Sequence, residues 1–151
     1  MNPAFPPITE LVPHQGPMVL LDRLVAETDA GVTAEVVVRA NRHFMRDEGW
    51  PAFVGLELMA QAMAAWSGLR ARRVGQPPKL GFLAGTRTYD CLVPFFPVGA
   101  RLEVQVALEF DASNGLAVFD CSIRQDGALA ATAKVNSFEP ADISAFLERT
   151  S

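Results

Sequence analysis

Cysteine is scarce in this chain: 151 residues contain two, Cys91 and Cys121, and they stand in no metal-ligand spacing. Without a disulfide framework they are expected to be reduced core thiols. The opening MNPAFPPITELVPHQGP breaks with prolines the continuous apolar core that an export signal needs, and no basic stretch precedes it. The expected location is therefore cytoplasmic. Basic residues are outnumbered, 13 Lys and Arg against 17 Asp and Glu, for a net charge of −4. That balance, with no aromatic-basic array of the RNA-binding kind, disfavours a nucleic-acid partner and leaves a small molecule or a protein. Repeats, linkers and low-complexity runs are absent as well. Only one segment, Ala52 to Leu69, is long and apolar enough to resemble a membrane span, and it carries Glu57 and Gln61. A buried core helix is the better reading, with no membrane partner.

What is present fits one domain over residues 1–151. Half of the residues are hydrophobic and 20% are charged, a globular balance in a chain long enough to bury about two-thirds of its unfolded surface. MVLLDRLVAE (Met18–Glu27) and GVTAEVVVRA (Gly31–Ala40) read as strands joined by a hairpin at Thr28, Asp29 and Ala30. Pro51 suits the first turn of a helix that runs to about Leu69. KLGFLAGTRTYDCLV, RLEVQVALEFD, GLAVFDCSIRQ and ALAATAKVNSFE read as four more strands, the last three separated by the tight turn signals Asn114-Gly115 and Asp126-Gly127. In RLEVQVALEF, Leu102, Val104, Val106 and Leu108 share one face and Glu103, Gln105 and Glu109 the other. A short helix over Ala141–Glu148 closes the chain. The expected class is α+β, with an antiparallel sheet wrapped around one long buried helix; the hot-dog fold is one of a few architectures that fit.

Glu57 stands in a helix that is otherwise apolar or small on nearly every face. A carboxylate removed from water needs a partner or a proton, which makes it a candidate acid. Fourteen positions upstream lies His43, one of two histidines, with the side chain best suited to exchange a proton near neutral pH. The pair points to acid–base chemistry. The competing readings are an exposed loop histidine for His43 and, for Glu57, a buried ion pair with a residue such as Arg87.

The residues around the pair resemble the 3-hydroxyacyl-acyl carrier protein dehydratases, and within them the dehydratase-like proteins of aryl polyene synthesis. His43-Phe44, Pro51-Ala52, Glu57 and Gln61 keep that family's order and its spacing of fourteen between histidine and acid, and GLELMAQ matches its helix signature. LVPHQGPMVLLDRLV resembles the family's N-terminal segment, and LVPFFPVGARLEVQV its lead into a central strand. The resemblance implies a hot-dog fold and a dimer, either of two copies or with another hot-dog protein. It also implies removal of water from a 3-hydroxyacyl thioester to give a trans-2-enoyl thioester, with no metal and no cofactor beyond the phosphopantetheine of acyl carrier protein, the partner that brings the substrate.

By the same resemblance His43 takes the α-proton and Glu57 assists departure of the hydroxyl, while the N–H groups at Ala52 and Phe53 hold the thioester carbonyl. Gln61 is placed with the substrate-binding residues, with an orienting or a packing role as alternatives. Two departures stand out: Arg46-Asp47-Glu48 replaces the family's Gly-x-Pro, and Ala52 replaces a glycine. Arg70, Arg72 and Arg73 complement the negative end of the helix or dock the acidic carrier protein. Phe53, Met59, Met63 and Trp66 belong to the core or line an acyl tunnel. His14 is read as structural. A hot-dog thioesterase and a non-catalytic hot-dog subunit paired with an active one remain the alternatives.

Overall fold

Alternating apolar and polar residues build one curved layer, and an apolar helix fills it. A computed structural model describes residues 5–76, 82–111 and 115–138. The strands are β1 (Arg23–Glu27), β2 (Gly31–Val37), β3 (Trp50–Pro51), β4 (Phe82–Cys91), β5 (Phe95–Phe96), β6 (Arg101–Asp111), β7 (Leu116–Gln125) and β8 (Ala128–Phe138), with helix α1 at Val54–Arg73. Six strands form an antiparallel sheet in the order β1-β2-β6-β7-β8-β4, and β3 pairs with β5. On β6, Leu102, Val104 and Val106 are buried against α1 while Glu103 and Gln105 face outward. The predicted α+β architecture is therefore the one observed.

The turns follow their chemistry. In the β1–β2 hairpin the Thr28 hydroxyl accepts from the N–H groups of Ala30 and Gly31. The β7–β8 hairpin turns through Asp126 and Gly127, both at positive φ, and the Asp126 carboxylate accepts from the Arg101 N–H at 3.1 Å. Asn114 and the expected helix over Ala141–Glu148 lie outside the described residues.

Three boundaries differ from expectation. The first strand starts at Arg23 rather than Met18, because the N–H groups of Leu20 and Leu21 donate to the Gln61 side chain instead of a neighbouring strand. Pro51 does not open the helix: Trp50–Pro51 pairs with Phe95–Phe96, and α1 starts at Val54. At its other end α1 continues past Leu69 to Arg73, where Gly75 at φ +69 lets the Gln76 N–H reach the Ala71 carbonyl and the Gly75 N–H the Arg72 carbonyl. That is a Schellman ending, which the sequence signals by glycine just past the last turn.

Helix α1 is buried on almost every side, with Val54, Leu58, Met59, Ala62, Ala65 and Trp66 in the core. Gly68 is pressed against the N-terminal segment so closely that a Cβ there would stand 2.2 Å from the Leu11 carbonyl oxygen. Ile8, Leu11 and Val12 of this segment are buried. No helix among the described residues is long and apolar enough to cross a membrane.

Candidate active site

Glu57 lies one turn into α1, where the helix emerges beside the N-terminal segment, and its side chain is 34% exposed. It is not paired with an arginine among the described residues; the Arg87 side chain lies outside them. Its Oε1 accepts from Gln61 Nε2 at 3.0 Å and stands 3.2 Å from His14 Nε2. Both contacts fall on one oxygen, which leaves Oε2 without a protein partner among the described residues.

Gln61 is completely buried. Its Nε2 also donates to the Met18 carbonyl at 2.7 Å, and its Oε1 accepts from Leu20 N–H at 2.9 Å and more weakly from Leu21 N–H at 3.4 Å. An amide side chain has two donors and one acceptor oxygen, and all are engaged. Gln61 thus bonds Glu57 and holds residues 18–21, in keeping with the orienting and packing roles.

His43 makes no contact with this group among the hydrogen bonds and ion pairs of the described residues. Its ring is exposed, and it forms no hydrogen bond with Glu57. The loop that carries it is nonetheless firmly held. Trp50 Nε1 donates to the His43 carbonyl at 2.8 Å, and the Arg42 guanidinium donates to the carbonyls of Val19 and Leu20 at 2.9 and 2.8 Å. Phe44 adopts φ +68, a strained value for a non-glycine residue, of a kind that gathers at functional loops. Its ring meets His43 at 6.0 Å and Phe53 at 6.1 Å between centroids. His43 also lines a cleft of about 480 Å³ with Arg42, Asp22, Gly16, Pro17 and Leu21.

At the start of the helix the expected carbonyl-holding pair is divided. The Ala52 N–H donates to the Pro94 carbonyl at 3.0 Å, so it is not free to meet a thioester; the β3–β5 pairing that displaced the helix start also takes this donor. Gly55 and Leu56 N–H groups fold back on the Ala52 and Phe53 carbonyls. The N–H groups of Phe53 and Val54 have no backbone acceptor among the described residues, at the positive end of the helix dipole. Phe53 itself is 53% exposed. The Tyr89 hydroxyl fixes this corner by donating to the Ala52 carbonyl at 2.5 Å, and burial, followed by its hydrogen bond with Cys91, pushes its pKa well above the usual phenol value.

The arginines expected at the carrier-docking surface are largely bound within the protomer. Arg73 grips Glu27 through two short hydrogen bonds of 2.5 and 2.6 Å, which raises its pKa further, and Arg72 pairs with Glu10 at 3.4 Å. Arg70 lies over the Trp66 ring, 4.6 Å from its centroid, rather than in an ion pair. Trp66, Met59 and Met63 are core residues.

Two residues passed over in the sequence belong to the site's architecture. His14 was read as structural, yet it touches Glu57; the signal was its place in the Leu-Pro-His-like segment, two residues after the buried Val12. Arg42 holds the His43 loop, and only its adjacency to His43 could have marked it.

The comparisons with known proteins bear on the family and the fold. The sequence model of the ApeP-like family, described as ApeP dehydratase, matches residues 6–148. Among solved structures, the Dehydratase Heterocomplex ApeI:P from Xenorhabdus doucetiae is similar at 28% identity and a TM-score of 0.88, over 97% of this chain and 99% of that one. The PaaI protein of the phenylacetic acid degradation operon of E. coli matches at 15% identity and 0.60, over 77% of this chain and 81% of that one. A hypothetical thioesterase with coenzyme A from Streptococcus pneumoniae TIGR4 matches at 10% and 0.54, over 78% and 86%. The last two share the hot-dog fold alone. Matched by the family from before the first turn of 3-10 helix to beyond the last strand, and by a dehydratase complex over nearly its whole length, the chain belongs to the ApeP-like dehydratase family.

Proposed function

We propose that the protein removes water from a 3-hydroxyacyl thioester carried on acyl carrier protein, in a site completed by a second hot-dog subunit. The observation that carries this reading is Glu57: a half-buried carboxyl at a helix start, held through one oxygen and open at the other, in a chain of a dehydratase family. In the reaction, His43 of the neighbouring subunit takes the proton from C2. The C3–O bond breaks, and the hydroxyl leaves as water with the proton of Glu57. Enolate charge on the thioester oxygen is met by the N–H groups of Phe53 and Val54 and by the helix dipole, the kind of electrostatic help that is worth most in a dry site. The carboxyl regains its proton from the one collected at His43, so the cycle needs no cofactor.

The neighbour is argued from placement. His43, Phe44 and Phe53 are exposed together beside the helix start, where a second subunit would cover the aromatic rings and bring its own acid or base. The similar ApeI:P structure is a heterocomplex, which supports a different hot-dog protein as that neighbour as well as a second copy. Within the protein, Arg70 is the cation best left for an acidic carrier.

A second reading is favoured by one observation. Because the Ala52 N–H is already spent on Pro94, the chain could serve as a supporting subunit whose partner holds the working site. Dehydration of a 3-hydroxyacyl carrier-protein thioester, followed by the absorbance of the enoyl thioester, separates the two. With the active assembly, Glu57→Gln and His43→Ala should each slow turnover by about 10²–10⁴-fold. Unchanged turnover in both variants, with the partner's own acid–base pair carrying the reaction, leaves this chain as the supporting subunit.

A further inference from the structure

We infer that His14 is a positioning residue that, together with Gln61, fixes Glu57 so that proton exchange takes place at Oε2; this rests on the reading of Glu57 as the acid. His14 Nε2 and Gln61 Nε2 converge on the same oxygen, at 3.2 and 3.0 Å. A carboxyl loses or gains its proton at either oxygen when both are equally free. Here Oε1 accepts from Gln61 and has the His14 ring nitrogen beside it, so the proton resides on Oε2.

The other nitrogen of His14 defines what this ring donates. Nδ1 is buried and has no hydrogen-bond partner among the described residues. A buried N–H left without an acceptor is a rarer and worse arrangement than a bare lone pair. The ring therefore carries its proton on Nε2, where it points at Glu57, and leaves the lone pair on Nδ1.

The contact is built from both sides. Upstream, Leu11 and Val12 are buried and Leu11 is pressed onto Gly68 of α1. Downstream, the Met18 carbonyl and the Leu20 N–H are bound by Gln61. His14 is hung between two anchors on the helix that bears Glu57. The same glutamine that ties the segment down supplies the hydrogen bond to the carboxyl oxygen that His14 contacts, so segment docking and acid orientation are one arrangement.

The test compares His14→Phe, which keeps a ring without a donor, with His14→Asn, which keeps an N–H donor, in the assembly that carries wild-type activity, using 3-hydroxybutyryl-pantetheine as substrate. Expected is a fall in kcat of about 10- to 100-fold for His14→Phe, in line with loss of one polar contact to a charged group, with KM within about twofold. Asn should recover about half or more of the lost factor on a logarithmic axis. In a Glu57→Gln background, His14→Phe should have no further effect, because a residue acting through Glu57 has nothing left to position. A His14→Phe enzyme with wild-type kcat beside a crippled Glu57→Gln enzyme overturns the inference and leaves Glu57 as the acid. A further loss from His14→Phe on top of Glu57→Gln also overturns it, since the histidine would then act independently. Wild-type turnover in Glu57→Gln itself defeats the underlying reading instead.

Discussion

At Gln61 a single side chain joins the fold to the chemistry. It satisfies the backbone of Met18 and Leu20 and bonds Glu57 from a site with no solvent access. Replacing it with methionine of similar shape leaves the buried Leu20 N–H and the part-buried Met18 carbonyl without this partner, each worth about 1–3 kcal/mol. Urea denaturation of Gln61→Met is expected to show a loss of about 3 kcal/mol; a loss below about 1 kcal/mol would mean that water replaces these bonds easily. How much of this could be read beforehand differs by residue. Glu57 was conspicuous because a carboxylate in an apolar helix demands a reason. Gln61 was found, with substrate binding, orientation of Glu57 and packing all open, since nothing in the one-dimensional pattern shows that residues 18–21 leave the sheet to bond it. The contact of His14 with Glu57 is not legible because the two lie 43 positions apart in the sequence, a pairing that only docking of the N-terminal segment creates. His43 was legible as a titratable residue, but the bonds from Trp50 and Arg42 that hold its loop were not.

The helix start is the element on which the site depends. Gly55 faces Tyr89 so closely that a Cβ would stand 2.2 Å from the phenol oxygen and 3.2 Å from Ile123 Cδ1. Gly55→Ala should therefore break the Tyr89 bond to the Ala52 carbonyl and tilt the first turn. Removing the hydroxyl relieves the worst contact, so the double variant Gly55→Ala/Tyr89→Phe is expected to unfold at a higher temperature than Gly55→Ala alone. Strict additivity of the two changes would contradict this close approach. The six long strands and the buried helix were all evident from period and turn residues, because alternation and β-branched runs are local signals. The ends were not. Trp50–Pro51 became a strand because Phe95–Phe96 lies opposite it, and the first strand shortened because a glutamine took its donors. Both are tertiary competitions for backbone hydrogen bonds.

The assembled molecule holds groups whose ionisation works against folding at high pH. Burial, and then the charge of Asp120, pushes the Cys121 thiol up from 9.0 to about 12 despite the opposing Lys134. The unfolded chain loses this proton first. Stability is thus complete below pH 9 and falls as pH rises toward 12, by about 1.4 kcal/mol per unit for each such proton. Denaturation midpoints taken between pH 9 and 12 should decline less steeply in Cys121→Ala, and an equal decline would remove Cys121 as a cause. On the acid–base side, everything in the proposed reaction turns on whether His43 and Glu57 meet across two subunits. Mixing purified His43→Ala with purified Glu57→Gln, after verified subunit exchange, measures this directly. If two copies form the site, random pairing makes half of the dimers mixed, each with one intact site, and should restore about a quarter of wild-type dehydration. If each site uses the His43 and Glu57 of one protomer, or neither residue reacts, the mixture will show no activity beyond that of its two components.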